Sequence, residues 1–223
     1  MSINNGYIRS MCASPALKVA DIDFNKRTIL EVIGTAVDRK VHLLVFPELS
    51  ITGYTCADLF YQKNFCRKAM EALLDITIHC QKMPLIVVLG LPVLNNSKLF
   101  NCAGVLHGGE ILGIIPKTYI PNTREYYEAR WFSSSTSNDD KFLSLGGADI
   151  PFGSDIIFEI QNLPFCKIGI EICEDLWALN PPSTEMALSG ATVIANLSAS
   201  NELIGKSKYR LELIRNQSAR CNF

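Results

Sequence analysis

Short, continuous apolar runs alternate along the chain with segments whose apolar residues recur at helical spacing. Residues 7–13 read as a first strand. Residues 41–46 and 85–91 are unbroken apolar runs, as strands buried on both faces require. Residues 21–39 carry Ile22, Ile29, Ile33 and Val37 near the helical period, with Asp21 or Asp23 placed to cap the start. A long helix is expected over 57–81. Residues 100–106 and 111–115, joined through His107-Gly108-Gly109-Glu110, predict a β-hairpin that Pro116 ends. Residues 133–140, a run of serines, Thr136, Asn138 and two aspartates, read as a polar, mobile and solvated loop. Residues 155–160 and 165–172 predict a second strand pair, turned at Gln161-Asn162-Leu163-Pro164. Pro181-Pro182-Ser183-Thr184 precedes a short helix closed by Gly190; a strand over 191–197 and a last helix over 208–220 follow. Strands separated by helices, together with hairpins, predict an α/β layered domain with a mixed sheet or two sheets.

Composition narrows the class. The chain has 223 residues, 48% of them hydrophobic and 19% charged, enough apolar material for one sizeable core over 1–223. Lys and Arg number 21 against 22 Asp and Glu, so the cationic surplus of a nucleic-acid binder is missing. No apolar run approaches the ~20 residues of a membrane helix. The first residues show neither a basic nor an apolar leader region, so a cytoplasmic protein is expected. Eight cysteines form no C-x-x-C pair, and His42, His79 and His107 stand at no zinc-ligand spacing to them, so no metal site is expected. The histidines read as structural rather than as partners in a Cys-His dyad. Gly205-Lys206-Ser207 would close a phosphate loop, but Ser200 stands where its first glycine must be. Nothing cradles ATP or a dinucleotide.

Three strand ends carry the chemistry: Phe46-Pro47-Glu48-Leu49, Ile115-Pro116-Lys117-Thr118 and Ile170-Glu171-Ile172-Cys173-Glu174-Asp175. Each puts one reactive side chain where an apolar strand breaks into a turn, the place where α/β folds collect ligand sites. A free thiol titrates near about 8.5 and needs a base; a carboxylate at Glu48 suits that task. Lys117 and a backbone N–H after Cys173, that of Glu174, suit the oxyanion formed when a thiol attacks an amide. A carboxylate, an ammonium and a thiol converging there make an amide-cleaving site.

The same segments resemble the nitrilase, or carbon–nitrogen hydrolase, superfamily with its Glu-Lys-Cys triad. More narrowly, five motifs are similar to the glutaminase domain of glutamine-dependent NAD+ synthetases: Pro116-Lys117-Thr118-Tyr119-Ile120-Pro121-Asn122, Arg124-Glu125-Tyr126-Tyr127-Glu128, Glu171 to Trp177, Asn196 to Glu202, and Gln217-Ser218-Ala219-Arg220. The resemblance implies a nitrilase-like α-β-β-α four-layer sandwich that pairs into homo-oligomers. It makes Glu48 the base, Lys117 the transition-state stabiliser, Cys173 the nucleophile and Glu125 an accessory glutamate. For glutamine it implicates Tyr54, Glu174, Ser200 and Lys206, with Thr123 standing where relatives often carry a tyrosine. It also implies further strands and a C-terminal synthetase domain beyond Phe223, so the chain reads as truncated. ATP and Mg are expected only in that domain, and no cofactor in this one.

The function expected on this resemblance is hydrolysis of the glutamine side-chain amide to supply ammonia for NAD+ synthesis. The alternatives are a stand-alone amidase, nitrilase or carbamoylase, and a non-catalytic or inactive fragment serving oligomerisation.

Overall fold

A computed structural model describes residues 6–137 and 140–223. Strands β1 (Ser10–Cys12), β2 (Leu43–Val45), β3 (Ile86–Asn95), β4 (Lys98–His107) and β5 (Glu110–Pro116) form one sheet in that order. Its first three strands run parallel and its last three antiparallel. A hairpin of β6 (Phe142–Leu145) and β7 (Ala148–Pro151) follows. A second sheet then places β9 (Lys167–Ile172) between β8 (Ile157–Glu159) and β10 (Val193–Leu197).

The apolar runs are continuous because both faces of the first sheet are covered. In β2 and β3, Leu43, Val45, Ile86 and Val88 face the second sheet, where Ile168, Ile170, Ile172 and Leu197 meet them. Leu44, Val87 and Leu89 point the other way. There they meet Ile29 and Ile33 of helix α1 (Ile22–Asp38) and Leu73 and Ile76 of helix α2 (Lys63–His79). Helix α3 (Pro182–Leu188) packs on β9, and helix α4 (Lys206–Cys221) packs on α3. The result is the expected α-β-β-α sandwich.

Local chemistry explains the element ends. Asp21 caps α1 by accepting from the Phe24 N–H at 3.0 Å, a contact worth about 1 kcal/mol. The β4–β5 turn uses Gly108 and Gly109 at φ +61° and +88°, as their pairing predicts. Gly146-Gly147 turns β6 into β7 in the same way, in a hairpin the periodicity did not predict.

Several expectations change. The helix over 57–81 is two elements: a 3-10 turn at Ala57–Tyr61, then α2 from Lys63, with Gln62 extended between them. The break lets Phe60 turn inward against Phe65, Trp131 and Phe132. The loop at 133–140 is anchored at its start. The Ser133 N–H donates to the Leu99 carbonyl, the Ser135 N–H to that of Lys117, and Ser135 is buried. Asn138 and Asp139 lie outside the described residues. The short helix begins at Pro182 itself, since its missing N–H costs nothing at the first helical position. The last helix begins at Lys206, after Gly205 at φ +82°.

Among the described residues, no helix is long and apolar enough to cross a membrane. Nor do any three His, Cys, Asp or Glu side chains gather as a metal site. His42 and His107 are engaged with backbone: the Arg9 N–H donates to His42 Nδ1, and His107 Nδ1 lies 3.1 Å from the Leu85 carbonyl.

Candidate active site

Glu48 follows β2, Lys117 follows β5 and Cys173 follows β9, so the packing of two sheets brings three distant positions to one rim. Two sharp reversals aim them. Leu49, directly after Glu48, has φ +52°, and Cys173 itself has φ +46°, left-handed conformations that non-glycine residues adopt at a cost of order 1–3 kcal/mol. Gly90 makes the first reversal possible: a Cβ there would lie 2.1 Å from the Leu49 nitrogen and 2.7 Å from the Glu48 carbonyl carbon.

Lys117 has no exposed surface. Its Nζ stands 2.6 Å from Glu48 Oε1, and 2.9 and 3.0 Å from the two oxygens of Glu128. Burial works to discharge the ammonium, but Glu48, Glu128 and the Cys173 sulfur outweigh it and hold its pKa above the ordinary lysine value. The carboxylates are held in turn. Asn101 Nδ2 donates to Glu48 Oε1 at 2.7 Å, the Ala199 N–H donates to Glu48 Oε2 at 3.1 Å, and the Tyr54 hydroxyl donates to Glu128 Oε1 at 2.6 Å. Burial and the charge of Glu48 raise the Glu128 carboxyl, against the pull of Lys117. The same two causes, burial first, push the Cys173 thiol up to about 12, so at neutral pH it is a thiol that needs a base.

One carboxylate joins the lysine and cysteine segments. Asp175 Oδ1 accepts from the Thr118 and Tyr119 N–H groups at 3.1 and 2.7 Å; its Oδ2 accepts from the Ile172 N–H at 2.9 Å. The residues just after Lys117 and just before Cys173 are thereby fixed to one side chain.

Cys173 opens onto a cavity of about 540 Å³, within the size range of small-molecule sites. Thr123, Glu174, Ser200 and Lys206 line it, as does Glu125. Lys206 lies 5.3 Å from the Trp177 ring centroid and hydrogen-bonds Asn201, whose side chain also bonds Glu125. The wall thus carries an ammonium, two carboxylates, hydroxyls and an aromatic face.

Two placements differ from the sequence reading. Glu125 sits on the cavity wall, and the carboxylate against Lys117 is Glu128. Arg124 at φ +57° turns the chain, and a 3-10 turn at Glu128–Arg130, tied by the Glu128 N–H to the Pro121 carbonyl, returns Glu128 beneath the ammonium. Tyr54 is absent from the cavity wall; its hydroxyl serves Glu128. The sequence reading missed Glu128, Asn101 and Asp175. A lone asparagine in the apolar run of β4 was the one available signal for Asn101, since a buried amide needs partners.

The carbon–nitrogen hydrolase family model matches residues 8–222. The chain is 36% identical over 217 residues to the glutamine-dependent NAD(+) synthetase of Mycobacterium tuberculosis, an alignment that covers 97% of this chain and 32% of that protein. It thus spans about a third of the length of that relative. The crystal structure of a glutamine-dependent NAD(+) synthetase from Cytophaga hutchinsonii superposes with a TM-score of 0.85 at 32% identity, covering 96% of this chain and 34% of that one. An amidase from Nesterenkonia sp. shares the fold, with a TM-score of 0.72 at 17% identity over 99% of this chain and 75% of its own. With a family model matched along nearly its whole length and the family's layered fold beneath it, this chain belongs to the carbon–nitrogen hydrolase family.

Proposed function

We propose that this chain hydrolyses the side-chain amide of glutamine and releases ammonia. The observation that carries the reading is the fully buried Lys117 ammonium held between Glu48 and Glu128 beside the Cys173 thiol. In the first step the thiol proton passes to Glu48 and the sulfur pair attacks the amide carbon. The carbonyl electrons move onto oxygen, where Lys117 and the Glu174 N–H receive the charge. That N–H lies in the first turn of a 3-10 helix, where backbone donors have no partner within the helix. Glu48 then gives its proton to the leaving nitrogen, and ammonia departs from a γ-glutamyl thioester. A water deprotonated by Glu48 hydrolyses the thioester, returning the thiol and yielding glutamate. Donors placed at a developing oxyanion contribute about 10²–10³ each in rate.

The charged cavity wall favours glutamine over an aliphatic nitrile or simple amide. Lys206 and Ser200 suit an α-carboxylate, and Glu174 suits an α-ammonium. The Mycobacterium tuberculosis relative is named for glutamine-dependent NAD+ synthesis and is about three times as long. We read residues 1–223 as the ammonia-generating domain of such a synthetase. On this reading the ammonia serves an ATP- and Mg-dependent synthetase domain outside this chain, the assembly is a cytoplasmic homo-oligomer, and this domain itself needs no cofactor.

A substrate panel tests the proposal. Glutamine turnover, abolished in Cys173→Ala, is expected, together with labelling of Cys173 by a glutamine-mimicking electrophile. Turnover of N-carbamoyl compounds or aliphatic nitriles without glutamine would assign a stand-alone hydrolase. Glutaminase activity that persists in Cys173→Ala would overturn the nucleophile.

A further inference from the structure

The parallel pairing of β9 and β10 sets Leu197 opposite Ile172, so Ser198 stands one residue past its strand as Cys173 does past its own. The Ser198 hydroxyl donates to Cys173 Sγ at 3.4 Å, an ordinary separation for a bond to sulfur. The next residue in the chain, Ala199, donates its N–H to Glu48 Oε2. The end of β10 thus places the Ser198 hydroxyl on the nucleophile and the Ala199 N–H on the base, with that N–H also turned toward the sulfur.

This arrangement answers a specific electrostatic problem. The thiol is buried and lies close to Glu48, and both burial and that negative charge oppose a thiolate. Lys117 is the compensating cation, but its ammonium is already divided between two carboxylates. Among the described residues, no histidine hydrogen-bonds the sulfur. The hydroxyl of Ser198 is an uncharged donor aimed at the sulfur, and among the described residues it makes no other hydrogen bond that competes for its proton. With that hydroxyl donating to the lone pair, the thiol proton is left free to face Glu48.

We propose that Ser198 is a further catalytic residue, whose hydroxyl hydrogen bond stabilises the sulfur anion of Cys173 as its proton passes to Glu48 and again when the thioester is cleaved. No atom is exchanged: the Ser198 O–H stays intact, the bond strengthens as charge gathers on sulfur and weakens once the C–S bond has formed. A hydrogen bond to a charged group corresponds to about tenfold in rate. The proposal rests on Cys173 as the nucleophile but not on glutamine as the substrate.

The test reads the thiol directly. Iodoacetamide alkylation of Cys173 is followed by peptide mass at fixed pH in the unmodified chain and in Ser198→Ala, Ser198→Gly and Ser198→Thr. The two variants that lack the hydroxyl are expected to alkylate about tenfold more slowly, and Ser198→Thr, which restores it, to recover most of the rate. In glutamine turnover the same loss is expected in kcat, with KM changed less than twofold. Equal alkylation rates in all folded variants would overturn the proposal. A KM rise with unchanged alkylation would also overturn it, by making Ser198 a substrate contact. Failure of Cys173 to react in the unmodified chain would instead count against the nucleophile assignment. Should Ser198→Ala not fold, the Gly and Thr pair decides between the outcomes.

Discussion

The phenol of Tyr54 donates its proton to Glu128 Oε1 across 2.6 Å, although the two residues are 74 positions apart. That contact turns an expected substrate residue into a support for the carboxylate that holds Lys117. Tyr54→Phe is therefore expected to lower kcat for amide hydrolysis about tenfold and leave KM nearly unchanged, since it removes one hydrogen bond to a charged group. Steady-state kinetics on glutamine decide this; a rise in KM at constant kcat would return Tyr54 to the binding site.

Cys173 predicts an unusual pH profile. Burial and Glu48 push its thiol up to about 12, so no thiolate accumulates near neutrality. Alkylation by iodoacetamide is expected to climb about tenfold per pH unit from about pH 7 to about pH 10 without a plateau. A plateau near neutral pH would reveal a preformed thiolate pair, as in enzymes that pair cysteine with histidine, and would contradict the site described above.

Asp175 links stability to pH. Burial raises its carboxyl to about 7 in spite of three N–H donors, while an unfolded aspartate titrates near about 3.9. Between those values the folded chain keeps a proton that the unfolded chain has released. The stabilisation is thus complete below about pH 4 and is lost as pH rises through about 7, by up to about 1.4 kcal/mol per pH unit. Denaturant unfolding across that range is expected to show this slope. Asp175→Asn should remove it while costing about 1–3 kcal/mol, because an amide NH₂ cannot accept from the Ile172 N–H.

Two glycines should respond in opposite ways to alanine. At Gly90 the added methyl meets the Leu49 nitrogen at 2.1 Å and the backbone of Glu48, with no flexible side chain to give way. Gly90→Ala is expected to abolish activity or folding. Gly34, inside α1, has nothing within 4 Å of a Cβ, so Gly34→Ala is expected to stabilise by about 0.5–1 kcal/mol. Thermal unfolding and amide-hydrolysis assays on the pair check both outcomes.

Much of this protein is legible in its residues one segment at a time. Apolar runs stopped by Pro47 and Pro116, a helix opened by Asp21 and a hairpin turned by Gly108-Gly109 follow from backbone preferences and burial, which act over a few positions. The strand ends at 46–49, 115–118 and 170–175 pointed to Glu48, Lys117 and Cys173 because each chemical type there carries its own signal. What spacing along the chain does not encode is which groups meet. Glu125 and Glu128 are the same residue type three positions apart, and only the left-handed turn at Arg124 and the following 3-10 turn decide which reaches Lys117. Asn101, Asp175, Tyr54 and Ser198 acquire their roles the same way, from partners brought in across strand pairing and sheet packing. A buried polar group is defined by its neighbours, and tertiary structure alone supplies them.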